Sequence, residues 1–187
     1  GEQVTLVGRT GAGKSTIFRL LLGLYAPKTG SITIGGVDVS RIPDSGRRAC
    51  IGCVEQHFSR VPGTVLDQIT LGDPAITEKM AKDAAKLSGL DGTIRSFPDG
   101  YDTECTDGMF SQGEWQLLSI ARAAAADPAV LLLDEITANL DAETEERILE
   151  ALRRASEGRT VLSVSHRVYE NTGGRVVHVG GERQKTQ

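Results

Sequence analysis

The chain has 187 residues, of which 39% are hydrophobic and 25% charged, and it carries a formal net charge of −4. That length fits one domain with a sizeable core, and the lack of any basic block argues against electrostatically driven nucleic-acid binding. The longest apolar runs, Ala123–Ala126 and Ala129–Leu133, fall far short of the roughly 20 residues that cross a bilayer, and no signal-peptide pattern opens the chain.

Gln3–Val7 reads as a strand entering a Gly-rich turn, and Lys14–Leu22 as a helix with Ile17, Phe18, Leu21 and Leu22 at helical spacing. Ser31–Ile34 before Gly35-Gly36 predicts a strand and tight turn, and Ala49–Val54 another strand. From about Thr64 to Ala126 the pattern is mainly helical, including Trp115–Ala126, with loops over Leu71–Ala75 and Phe97–Gly108. After Pro128, strands are predicted over Val130–Leu133, Thr160–Val164 and Arg175–Val179. Between the first two of these, Ala142–Ser156 reads as a helix capped by Asp141. Glu143, Glu145 and Glu146 lie in its first turns, and Ile148, Leu149 and Leu152 form its apolar stripe. The alternation predicts an α/β fold, a mainly parallel sheet flanked by helices, as one domain over 1–187. Residues 1–57 and 127–187 form its core and 58–126 an inserted helical subdomain.

Three cysteines are an odd number for a disulfide framework, so a reducing compartment is the natural reading. Cys50 and Cys53 make a C-x-x-C inside the predicted strand. A zinc site would need two further ligands nearby, and none has suitable spacing, so these are read as packed thiols.

Gly8-Arg9-Thr10-Gly11-Ala12-Gly13-Lys14-Ser15 matches the pattern G-x-x-x-x-G-K-[ST] and lies between a predicted strand and a helix. Glycines let the backbone curl so that its N–H groups point at phosphate oxygens, and the following helix adds its positive end. Gly8 through Ser15, with the adjoining Thr16, are therefore the expected phosphate-binding set of a P-loop NTPase core. Lys14 reaches the β- and γ-phosphates, and the Ser15 hydroxyl ligates Mg²⁺. The apolar run Val130–Leu133 delivers Asp134 and Glu135. After a P-loop, Asp134 is the natural acid for Mg²⁺, and Glu135 would orient the attacking water or accept its proton.

Phe110-Ser111-Gln112-Gly113-Glu114, placed before a helical run and then the acidic strand, resembles the Leu-Ser-Gly-Gly-Gln signature of ATP-binding cassettes. Taken in order with the P-loop and the acidic strand, this arrangement resembles the ABC transporter nucleotide-binding domain, over nearly the whole chain. The resemblance implies the following roles. Gln56 is the glutamine that senses Mg²⁺ and the attacking water. Ala138-Asn139-Leu140-Asp141 is the loop between subunits, with Asp141 near nucleotide. His166 is the histidine that contacts the γ-phosphate. Two cassettes would meet head to tail around two ATP molecules, as homo- or heterodimer. Ser111 and Gly113 of one subunit, with Gln112 between them in the nucleotide-binding set, would then face Lys14, Ser15, Gln56, Asp134, Glu135 and His166 of the other. Membrane-spanning partner domains, a place on the cytoplasmic face of a membrane and ATP hydrolysis coupled to transport follow from the same resemblance.

Gly63-Thr64-Val65-Leu66-Asp67-Gln68-Ile69 and Pro98-Asp99-Gly100-Tyr101-Asp102-Thr103 resemble stretches of exporter-type cassettes. Glu104–Gly108 matches the short loop that in exporters touches the membrane domain. Phe110, Gln112 and Glu114 depart from the usual signature, and Glu114 sets a negative charge beside a phosphate site. The family's N-terminal antiparallel strands, with the aromatic that stacks on adenine, would precede Gly1. Trp115 is read as packing or interface. Alternatives to an exporter are an importer, a soluble cassette, a weakly hydrolysing half of a heteromer, or a binding module with a degenerate site. The intact Lys14, Glu135 and His166 argue against the last.

Overall fold

Five parallel strands organise the molecule, which a computed structural model describes over residues 1–55, 57–134, 140–164 and 174–180. In chain order the strands are β1 (Gln3–Val7), β2 (Thr33–Ile34), β3 (Val37–Asp38), β4 (Ile51–Val54), β5 (Val130–Leu133), β6 (Thr160–Ser163) and β7 (Arg175–His178). The main sheet runs β4-β5-β6-β1-β7 with every pairing parallel, while β2 and β3 form a separate hairpin. Gly35 and Gly36 turn that hairpin with φ of 57° and 81°, values that side-chain-bearing residues rarely adopt.

The helices are α1 (Lys14–Leu21), α2 (Asp44–Cys50), α3 (Val65–Thr70), α4 (Glu78–Ser88), α5 (Asp91–Ser96), α6 (Gln112–Ala124) and α7 (Ala142–Ser156). Side-chain caps explain several boundaries. Thr64 and Ser111 each form a reciprocal capping box with the acid three residues on, and Thr77 and Asp141 cap α4 and α7.

Strand β5 divides the core between the two faces of the sheet, as the two-residue repeat of a strand requires. Leu131 and Leu133 join α6 and α7 through Leu118, Ile120, Ile148 and Leu152, all essentially inaccessible to solvent. Leu132 points the other way, into a smaller cluster with Leu6, Phe18 of α1, Ile51 and Val164. Because the sheet is parallel, its strands end on one edge. Val54, Leu133, Ser163 and Thr5 lie at one level in the register. The buried hydroxyls of Thr5 and Ser163 satisfy each other there, 3.1 Å apart.

Several element boundaries differ from the sequence reading. The strand expected over Ala49–Val54 is shorter, because α2 runs to Cys50. Arginines of α2 hold it in place. Arg47 donates to the carbonyls of Leu22 and Ile42, each at 3.0 Å, and Arg48 to those of Ile69 and Arg122 at 2.9 and 3.0 Å. Cys50 therefore ends a helix while Cys53 lies in a strand, and all three cysteines are free thiols. Helix α6 begins at Gln112, ahead of the apolar-patterned run from Trp115, since the Ser111 cap sets its start. The stretch expected as a loop over Phe97–Gly108 contains a 3₁₀ turn at Gly100–Asp102 and is pinned by an isolated bridge from Glu104 to Thr64.

Candidate functional site

The P-loop follows β1 at the carboxyl edge of the sheet, where ligands of open α/β sheets bind. Its turn is closed by the Ala12 amide donating to the Arg9 carbonyl at 3.0 Å. Gly11 and Gly13 hold φ of 81° and 98°, so a side chain at either would strain the curl. Gly13 is the N-cap of α1 and offers no side-chain cap, which leaves the first amides of the helix free for an anion. Gly8 is needed for a different reason: a Cβ there would collide with the Val179 carbonyl. The Lys14 ammonium donates to the carbonyls of Gly8 and Arg9 at 2.6 and 3.1 Å, which holds it over the loop.

A cavity of about 340 Å³ opens on this loop, lined by Thr10, Gly11, Gly13, Lys14, Ser15, Thr16, Asp134 and Val164. Asp134 comes from the end of β5, where its amide donates to the Val54 carbonyl at 3.0 Å. Asp134 and the phosphate-binding turn, far apart in sequence, thus share one cavity because β1 and β5 both flank β6 in a parallel register. The negative field at this edge is felt by Cys53. Its thiol is pushed up to about 12, first by burial and then by Glu55 and Asp134.

One family model, described as ABC transporter, matches residues 1–138. The chain belongs to the ABC transporter family. It is 41% identical over 170 residues to an uncharacterized ABC transporter ATP-binding protein of Bacillus subtilis, YfiC, covering 90% of this chain and 28% of that protein. It is 41% identical over 173 residues to the ABC multidrug transporter MDR2 of Trichophyton tonsurans, and 39% identical over 170 residues to P-glycoprotein 14 of Caenorhabditis elegans. Each of those alignments covers 90% of this chain and 13% of the relative. The chain thus spans between about an eighth and a quarter of the curated relatives it matches, and it is an ATP-binding, ATPase domain of the ABC transporter family.

Other residues expected at the site lie at the starts of α6 and α7. Ser111 caps α6, and Asp141 caps α7 with its Oδ1 accepting from the Thr144 amide at 2.9 Å. The Thr144 hydroxyl, and then that amide, hold the Asp141 carboxyl below the usual carboxylate range. Gly113 lets the two helix starts meet, for a Cβ there would strike the Thr144 methyl. Ser111, Gln112, Gly113 and Asp141 are not among the residues lining the P-loop cavity; Gln112 instead lines a second hollow of about 380 Å³ with His57, Phe58, Arg60, Asp107, Trp115 and Gln116. Gln56, Glu135 and His166, with Ala138 and Asn139, lie outside the described residues.

Trp115, read as packing or interface, packs within the chain. It stacks on Phe58 with centroids 5.0 Å apart and meets Phe110 edge-on at 4.9 Å, while Phe110 also meets Phe97 edge-on at 5.5 Å. The departure to Phe110 is thus a core choice. Sequence reasoning missed Arg122, whose Nε and Nη1 donate to the carbonyls of Gln68 and Ser59 at 2.6 and 2.9 Å. Burial, and then the nearby Arg48, lower its pKa to about 10. A lone charge inside the otherwise uncharged run Leu117–Ala126 was the available signal. Thr93 and Thr144 carried no signal, since their roles are contacts between elements distant in sequence.

Proposed function

We propose that this domain hydrolyses ATP to drive export of a substrate across a membrane. It would act as one of two cassettes coupled to membrane-spanning domains on the cytoplasmic face. The observation that carries this is the single cavity in which the uncapped start of α1, Lys14, Ser15 and Asp134 converge. The printed names of two relatives, a multidrug transporter and a P-glycoprotein, favour the exporter branch. No helix among the described residues is long and apolar enough to cross a membrane, so the membrane-spanning part is assigned to other segments or chains.

In this reading the amides of residues 10–16 and the Lys14 ammonium bind the phosphates and spread their charge. Ser15, Gln56 and Asp134 would hold Mg²⁺. A hydroxyl and a single carboxylate suit an ion that takes its remaining ligands from phosphate and water, and no cluster of three or more His, Cys, Asp or Glu side chains capable of holding a metal occurs among the described residues. The ion would supply charge neutralisation at the β- and γ-oxygens. Glu135 orients the attacking water and takes its proton as the new bond to the γ-phosphorus forms and the bond to the β–γ bridging oxygen breaks. His166 contacts the γ-phosphate. Ser111, Gln112 and Gly113 offer the start of α6 to the γ-phosphate held by the other cassette, with Asp141 beside that junction. Residues 58–126 serve as the helical subdomain that carries this surface.

The test is Glu135→Gln in the full-length protein. ATP binding should persist, turnover should fall by about 100-fold or more, and an ATP-held dimer should accumulate. Hydrolysis at the wild-type rate would overturn the assignment.

A further inference from the structure

In the capping box that starts α6, Glu114 does more than end a helix. One of its oxygens, Oε2, accepts from both the Ser111 amide and the Ser111 hydroxyl, each at 2.9 Å. The other, Oε1, accepts from the Thr93 hydroxyl of α5 at 3.3 Å. The Ser111 oxygen in turn accepts from the Glu114 amide at 3.3 Å. The hydroxyl proton of Ser111 is therefore committed to a carboxylate of its own chain, and Thr93 anchors that carboxylate from a second helix. No lysine or arginine forms an ion pair with Glu114 among the described residues.

We propose that Glu114 is a built-in brake on the ATP-held dimer: it retains the Ser111 hydroxyl in its own chain and sets an unneutralised negative charge where the partner cassette's γ-phosphate must arrive. This rests on the reading of Ser111 as a phosphate contact across the dimer. Two physical effects add. The Ser111 hydroxyl exchanges a charge-assisted bond to Glu114 for one to phosphate, so its gain is small. The carboxylate also repels the incoming phosphate, and neither effect touches ADP, which lacks the γ-phosphate. Glutamine at this position keeps the capping box, because its side-chain oxygen still accepts from the Ser111 amide, while it removes the charge and loosens the hold on the hydroxyl. Glu114 is thus a positioning residue that acts through Ser111.

The experiment compares Glu114→Gln, Glu114→Ala and Ser111→Ala with wild type in the full-length protein. It measures half-saturating ATP for hydrolysis, ADP affinity and nucleotide-free thermal unfolding. Glu114→Gln should lower half-saturating ATP about three- to ten-fold, the change expected from removing one charge a few ångströms from a phosphate in a partly solvated site, with ADP affinity and nucleotide-free stability unchanged. Glu114→Ala, which removes the box, should lose nucleotide-free stability, which separates capping from charge. If Ser111→Ala raises half-saturating ATP while Glu114→Gln leaves it unchanged, the brake is refuted and the dimer reading stands. If Ser111→Ala has no effect on ATP either, the dimer reading fails and the brake with it.

Discussion

The Arg122 guanidinium lies over the Phe58 ring, 3.8 Å from its centroid, and so bonds the signature helix α6 to the segment that follows Gln56. Its two hydrogen bonds, to Ser59 and Gln68, fasten the same joint on either side of the turn into α3. Gln68 completes the joint from below: fully buried, it exchanges bonds with the Val61 backbone at 2.8 and 2.9 Å.

Arg122→Ala removes this cation–π contact and leaves the Ser59 and Gln68 carbonyls unpaired. It should cost about 2–3 kcal/mol of unfolding free energy in urea titration. Arg122→Lys keeps the charge but not the planar fork, and should recover less than half of that loss. A lysine variant as stable as wild type would show that charge alone holds the joint.

Gly113 and Thr144 meet where the starts of α6 and α7 touch, and the clash of an added Cβ is with the threonine methyl alone at close range. Gly113→Ala should destabilise the domain by about 1–3 kcal/mol through overpacking. Thr144→Ser, which deletes the methyl, should restore most of the loss in the double variant. Additive effects in that double-mutant cycle would count against direct contact.

Trp115 is the sole tryptophan, and its stacking on Phe58 ties its fluorescence to the segment after Gln56. ATP with Mg²⁺ should change its emission intensity or maximum, and Phe58→Leu should reduce that response. An emission spectrum indifferent to saturating ATP would separate the aromatic cluster from the nucleotide site.

Burial pushes the Cys53 thiol up to about 12 and also raises that of Cys105. Both should therefore stay protonated and resist iodoacetamide at pH 8 in the folded protein, then react once it is unfolded in urea. Mass spectrometry of tryptic peptides reads the outcome directly; rapid labelling of Cys53 in the native state would contradict its packing.

The Asp141 carboxyl, lowered by its bond to Thr144, ties the α7 cap to pH. Its contribution is fully present above the ordinary carboxylate value of about 3.9 and is lost as pH falls through the lower folded value. The urea midpoint of Asp141→Ala should therefore lie below wild type at pH 7, and the gap should narrow towards pH 3. A gap constant with pH would assign the loss to something other than the charged cap.

Of the fold, the strands flanking the nucleotide site were legible in the sequence, since β1, β5 and β6 are short runs rich in Val, Leu and Thr, a signal that is local. The start of α2 was not. It depends on Arg47 and Arg48 finding carbonyls of residues far along the chain, and no local pattern records that. Of the site, the P-loop residues and Asp134 were readable because glycine positions, a lysine and an acid at a strand end are fixed by chemistry at known spacing.

The opening motifs therefore belong to the sequence alone: which residues can bind phosphate, which family the chain belongs to, and that Glu114 departs from the usual signature. Only the tertiary structure decided that the Glu114 carboxylate is held from a second helix: its bond to Ser111 is local to the capping box, but Thr93 of α5 is brought to it by packing. The same holds for Arg122 and for Gly113. Each acts through a neighbour distant in sequence, and distance in space is set by the whole core rather than by any local run of residues.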